Sequence, residues 1–214
     1  MKLSEYLAHD AVALAERVAS REVNAAELLD LAIQQSARTQ ARTNAICRMM
    51  EHEARARIER QPSGPFSGVP FLIKDCAQDY AGLPTSFGSR ALAKNVASEH
   101  AHVVRRYLDA GFVIFGKTNL PELALKGVSD SQAFGRGCNP WNIDHTPGGS
   151  SGGAAAAVAS GVKSRGDGPV PPVVRIKSQC SLSARSISVS RTDSYPSGTI
   201  FRTIRKGDVR TLFR

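Results

Sequence analysis

The chain has 214 residues, 42% of them hydrophobic, and a formal net charge of +9. That is enough chain for one domain with a sizeable core, and no apolar run reaches the length of a membrane-spanning helix. The charge is unevenly placed: residues 163–214 hold eleven Lys/Arg and three Asp, net +8, while the first 162 hold 17 basic and 16 acidic residues, net +1. A nearly neutral body gives no reason to expect a polyanionic partner.

The N-terminal "MKLSEYLAHDAVALAERV" carries acids early and has no apolar h-region, so it reads as part of the fold and not as a secretory signal. Asn24 with Glu27 in "NAAELLDLAIQQSARTQ" fits an N-cap and a capping-box partner. Leu28, Leu29, Ala32 and Ile33 then make one apolar stripe at helical spacing. Residues 43–60, "TNAICRMMEHEARARIER", read as another helix, polar on its outer side. "QPSGPFSG" breaks it with Pro62, Gly64, Pro65 and Gly68. Val69 to Asp75, "VPFLIKD", is a short apolar run ending in charge, as a buried strand is. Residues 98–111 read as a helix stopped by Gly111, with His100 and His102 on different faces, and "FVIFG" as a second buried strand. Alternating helices and short apolar strands predict an α/β domain, a sheet covered by helices.

"GFVIFGKT", Gly111 to Thr118, satisfies the letter of the phosphate-binding GxxxxGK[ST] pattern. A phosphate loop needs a flexible turn whose amides face the ligand. Phe, Val, Ile and Phe look like the strand itself, so a core strand ending in a polar turn is the better reading.

Lys74 closes a run as apolar as "VPFLI", where an unpaired ammonium is costly. Burial makes a neutral lysine accessible as a general base. The bland alternative is a strand-end lysine whose head reaches water. Gly148 to Gly161, "GGSSGGAAAAVASG", sets two serines between glycine pairs ahead of an alanine run. It reads as a tight loop entering a buried helix. A base beside a serine is the minimum for a nucleophilic hydrolase.

"GPFSGVPFLIKD", "AGFVIFGKTNLPE", "AFGRGCNPWN" and "TPGGSSGGAAAAVASG" occur in this order. Together they resemble the amidase signature family, over roughly residues 5–162. The likeness is to bacterial amidases that include cyclic amide hydrolases of nylon-oligomer degradation, and the glutamyl-tRNA amidotransferase A subunit shares the same pieces. The resemblance implies the N-terminal part of an amidase-signature fold, an incomplete mixed sheet covered by helices, spanning 1–162. It implies hydrolysis of a small carboxamide by a Ser–Ser–Lys triad without cofactor or metal. Lys74 matches the base. Ser150 matches the bridging serine, which in the family follows a cis peptide, here Gly149–Ser150. Ser151 is then a loop-ordering hydroxyl, and Gly148, Gly149, Gly152 and Gly153 let the loop approach the nucleophile closely.

The nucleophile itself is not found. The resemblance places it near Val174, inside "GPVPPVVRIKSQ", and no Gly-Gly-Ser occurs after Gly161. The oxyanion hole, which the family builds from the same loop, goes with it. Composition changes at the same place: residues 163–214 contain one alanine, Ala184, and nine serines. Basic, serine-rich sequence of this kind reads as disordered, or as out of frame. One permitted codon choice for Pro172–Gln179, read in another frame, gives Gly-Gly-Ser-Asn-Lys-Ile-Pro, close to the missing motif. The expected protein is therefore a member of the family without activity, its sheet incomplete and apolar surface exposed.

Two alternatives stay open: a component like the A subunit of a tRNA-dependent amidotransferase, and a non-enzymatic protein binding through its basic tail. Nucleic acid is a weak expectation, since the tail has only Tyr195, Phe201 and Phe213 for base stacking. Cys47, Cys76, Cys138 and Cys180 form no CxxC pair and read as reduced thiols of a cytoplasmic protein. His9, His52, His100, His102 and His145 have no spacing that suggests a metal site.

Overall fold

The computed structural model describes residues 1–162. The expectations placed on 163–214, including the position at Val174, lie outside the described residues. The chain opens with three helices, α1 (Leu3–Ala8), α2 (Ala11–Ala19) and α3 (Ala25–Thr43). Asp10 and Asn24 start the latter two. Their side chains accept from Ala13 N–H at 2.9 Å and Glu27 N–H at 2.8 Å, satisfying amides that have no partner within the helix. The expected reciprocal bond from Glu27 is replaced, because its carboxylate accepts from the amino group of Met1. Leu28, Leu29 and Ala32 are buried and Ile33 is half-buried, as the stripe requires.

The helix expected over 43–60 is instead a strand and a helix. Asn44 takes the left-handed conformation (φ 44°) and ends α3; a short polar side chain tolerates that region. Residues Ile46–Met49 form β1, and Glu51–Glu59 form α4. The tertiary environment decides this. β1 lies antiparallel to a later strand, with Met49 opposite Gly116, and a Cβ on Gly116 would stand 2.9 Å from the Arg48 carbonyl oxygen. A glycine there lets the two backbones close up, and pairing overrides the helical tendency of the segment.

β2 (Pro70–Lys74) and β3 (Val113–Thr118) are buried at every position. They run parallel, Pro70 opposite Val113 and Lys74 opposite Thr118. β3 sits in the centre of a three-stranded sheet of order β1-β3-β2. Parallel neighbours require a crossover, and the one here carries α5 (His102–Asp109). α5 starts later than the sequence suggested. His100 stands ahead of it, where Nδ1 accepts from Ala81 N–H at 3.1 Å, so His100 and His102 do not occupy two faces of one helix. Phe112 holds the crossover to the sheet: its ring lies 4.6 Å from Phe66 and 4.7 Å from Phe71, which also meets Tyr107 at 4.9 Å.

β3 also runs two residues past the expected "FVIFG". Lys117 and Thr118 are paired with Ile73 and Lys74, so "GKT" is strand and not the polar turn expected after it. A short hairpin follows, β4 (Asp130–Ser131) with β5 (Gly135–Arg136). The alanine run forms α6 (Gly152–Ala159), packed between α3 and the sheet. Its C-terminal end is tied down by Gln35, whose amide donates to Ser160 O at 2.7 Å, and by Tyr6, whose hydroxyl donates to Val162 O at 3.0 Å. Among the described residues no helix is long and apolar enough to cross a membrane. Large apolar side chains do reach the surface: Leu125 is 81% exposed, and Leu123, Trp141 and Ile143 are also exposed.

Replacing Phe112 by alanine removes the centre of the aromatic cluster and is expected to cost about 3–5 kcal/mol. Asn24→Ala removes one cap and should cost about 1 kcal/mol. Denaturant unfolding followed by circular dichroism measures both. Equal losses would show that the cluster does not hold the crossover.

Candidate active site

Lys74 is the last residue of β2, and it is 7% exposed. Its backbone is fixed on both sides. Its own N–H donates to Gln78 Oε1 at 2.7 Å, and the preceding Ile73 carbonyl accepts from the Thr118 hydroxyl at 3.3 Å. The ammonium donates to Ser150 Oγ at 2.7 Å, across 76 residues of sequence.

Ser150 is brought there by the glycine loop. The Gly149–Ser150 peptide is cis. Ahead of it, the Gly148 carbonyl accepts from the Ser129 hydroxyl at 3.0 Å, and Gly149 lies against the backbone of Gly127 and Val128. Behind it, Ser151 is fully buried at the start of α6. Gly152 packs on Ser129, and Gly153 packs on Asn119, where its N–H donates to the Asn119 carbonyl at 3.0 Å. A Cβ on Gly153 would stand 2.4 Å from the Asn119 backbone. Asn119 is itself fixed, its amide donating to Asn44 O at 3.1 Å and Gly135 O at 3.2 Å. The N-terminus of α6 is therefore pinned to the residue that follows β3, and Ser150 is placed from there.

All seven residues singled out from the sequence lie on this one structure: Lys74 on the strand, and Gly148, Gly149, Ser150, Ser151, Gly152 and Gly153 on the loop and helix start. A lysine amine in hydrogen-bond contact with a serine hydroxyl is a unit for moving one proton.

Sequence reasoning missed a second group of buried polar residues below Lys74. Lys117 is fully buried. Its ammonium donates to Pro84 O at 2.7 Å and Thr85 Oγ1 at 2.8 Å, and it lies 3.4 Å from Asp75 Oδ1. Asp75 also accepts from the Ser86 hydroxyl at 2.5 Å and from Ser86 N–H at 3.2 Å. Burial pulls the Lys117 ammonium below the usual lysine range, against the opposing pull of Asp75. Burial likewise holds the Cys47 thiol well above its usual range. Two signals were available in the sequence: the acid that follows Lys74 directly, and the lysine of "GFVIFGKT". Asn119 lies within the quoted "AGFVIFGKTNLPE", where nothing marks it as a seat for the loop, and Ser129 left no signal.

The sequence pattern of the amidase family matches residues 27–168. The lipoamidase of Enterococcus faecalis is 37% identical over 159 residues, covering 73% of this chain and 22% of that protein. The glutamyl-tRNA(Gln) amidotransferase A subunit of Methanosarcina acetivorans is 49% identical over 98 residues, 46% of this chain and 20% of that protein. Among solved structures, 6-aminohexanoate cyclic dimer hydrolase superposes with a TM-score of 0.70 at 35% identity, covering 76% of this chain and 33% of that one. The chain thus spans about a fifth to a third of the length of these relatives.

Gly153→Ala forces a methyl group into the Asn119 backbone and is expected to cost about 1–3 kcal/mol or more. Gly127→Ala meets open space and serves as the neutral control. Denaturation midpoints of the two variants check this; equal midpoints would mean that the contact between α6 and Asn119 does not seat the loop.

Proposed function

The chain belongs to the amidase family, and from that premise we propose that it carries two members of a three-residue unit for hydrolysing carboxamide C–N bonds. The observation that supports this reading is the 2.7 Å contact between Lys74 Nζ and Ser150 Oγ. In the parent reaction neutral Lys74 takes the proton of Ser150, and Ser150 takes the proton of a second serine. That serine's oxygen attacks the carbonyl of a small amide. The proton returns along the same path to the departing nitrogen, leaving an acyl-serine ester that water hydrolyses. Lys74 is the base and Ser150 the relay; the scheme needs no metal or cofactor. Ser151 and the four glycines hold the relay in place.

The second serine is the missing part. Residues 163–214 contain no Gly-Gly-Ser, and Ser178, Ser181 and Ser183 have no flanking glycines to supply a tight turn and convergent amides. This chain is accordingly inactive as an amidase, and a shift of reading frame near Val162 is the origin of its basic tail. Parts of such a unit do not act independently, so losing one removes nearly all of the unit's contribution.

The likeness to the Methanosarcina acetivorans amidotransferase, 49% over 98 residues, favours one second reading: a component like that A subunit, working with partner chains. Co-purification of partner chains supports it, and isolation of the chain alone counts against it.

An amide-hydrolysis assay paired with a serine-directed fluorophosphonate label tests the first reading. The expected outcome is neither turnover nor label on the 214-residue chain. A one-base correction near the codon of Val162 should restore both, and Lys74→Ala should then lower turnover by at least on the order of 10³-fold. Turnover by the uncorrected chain, abolished by Lys74→Ala and with label on a serine beyond Val162, would overturn it.

A further inference from the structure

Lys117 is the lysine of a motif that the phosphate-loop reading does not use, and it is buried more completely than Lys74. Its three oxygen partners account for all of its protons: Pro84 O, Thr85 Oγ1 and Asp75 Oδ1. A buried ion pair of this kind adds little net stability, because desolvation of both charges offsets their attraction. Its position is more telling than its energy. Asp75 directly follows Lys74, at the bend that ends β2. An uncompensated carboxylate so close would favour the ammonium form of Lys74, which is the form that accepts no proton.

We propose that Lys117 is a positioning residue for Lys74: by pairing with Asp75 it cancels, inside the sheet, the negative charge adjoining Lys74, so that Lys74 is able to give up its proton. This rests on the reading of Lys74 as the base. The same pair also fixes the backbone. Asp75 and its carbonyl hold Ser86 and Phe87, and Lys117 holds Pro84 and Thr85, so the segment after β2 is locked against β3. The other titratable or charged groups near the pair are Asp79, Cys76, Cys47 and Arg48. Cys47 and Cys76 are both shifted upward by burial and stay neutral thiols. Asp79 is then the remaining acid whose field reaches both Lys117 and Cys76.

Pulse acetylation of the full 214-residue chain with acetic anhydride, read by mass spectrometry, follows the unprotonated fraction of each lysine. Exposed Lys94 and Lys126 in the same molecule serve as standards. Lys117→Met leaves the Asp75 charge uncompensated and should slow acetylation of Lys74, relative to the standards, by about fivefold. Asp75→Asn removes the anion, keeps an acceptor for Ser86, and should speed it by a similar factor. The double variant should return close to the parent. A role confined to packing loosens the site in every variant and moves all three rates the same way; that result, or no change in either single variant, overturns the proposal. If Lys117→Met does not fold, Asp75→Asn alone decides, and absence of acceleration refutes the proposal. Failure of the base reading itself looks different: Lys74 of the parent chain would show the same pH course as Lys94 and Lys126, whatever the variants do.

Discussion

The pairing of β3 with β2 is the constraint from which the site follows. With Lys74 opposite Thr118, the strand end that carries the lysine and the strand end that carries Asn119 stand side by side. Asn119 then holds Gly153, and through it the start of α6. Ser150 is three residues before Gly153, and its hydroxyl lies 2.7 Å from Lys74 Nζ. A slip of the strand register would separate Lys74 Nζ from Ser150 Oγ without removing either residue. The bonds that prevent the slip are in place on both sides of β3, and the Thr118 hydroxyl on Ile73 O adds a further tie at the level of the lysine.

Much of this was legible in the sequence, for physical reasons that can be named. β2 and β3 are buried along their whole length, so "VPFLIKD" and "FVIFG" stand out as apolar runs. Asn24 is a cap because its side chain replaces a missing helical acceptor. The glycine pairs around Ser150 mark a backbone that comes closer to its neighbours than a Cβ allows. What was not legible depends on contacts distant in the chain. Ile46–Met49 is a strand only because β3 lies beside it, and its own composition suits a helix equally well. The end of β3 was set too early because Lys117 and Thr118 are polar, yet both are buried with partners supplied by residues 73–85. The same distance effect hid Ser129 and Asn119, whose roles exist only when the loop is folded against them.

The two buried lysines show how one residue type serves opposite ends in one sheet. Lys117 is surrounded by three oxygens and fixes structure. Lys74, one strand away, is aimed at a hydroxyl that is itself half exposed. Apolar side chains also reach the surface of the described part. Leu123 and Leu125 stand exposed in the segment before the Ser150 loop, and the chain spans 33% of the solved cyclic dimer hydrolase it superposes on. Lys74 and Ser150 are thus held in contact in a chain whose sequence beyond Val162 contains no Gly-Gly-Ser.

Whether that serine is encoded but unread is answered most directly by the nucleotide sequence from the codon of Ala155 onward, read in all three frames. The expected result is a second frame that opens near Val162 and carries a Gly-Gly-Ser loop at the position of Val174, followed by continuous α/β sequence. Three frames without such a loop would contradict it, and would leave the basic tail as this chain's own.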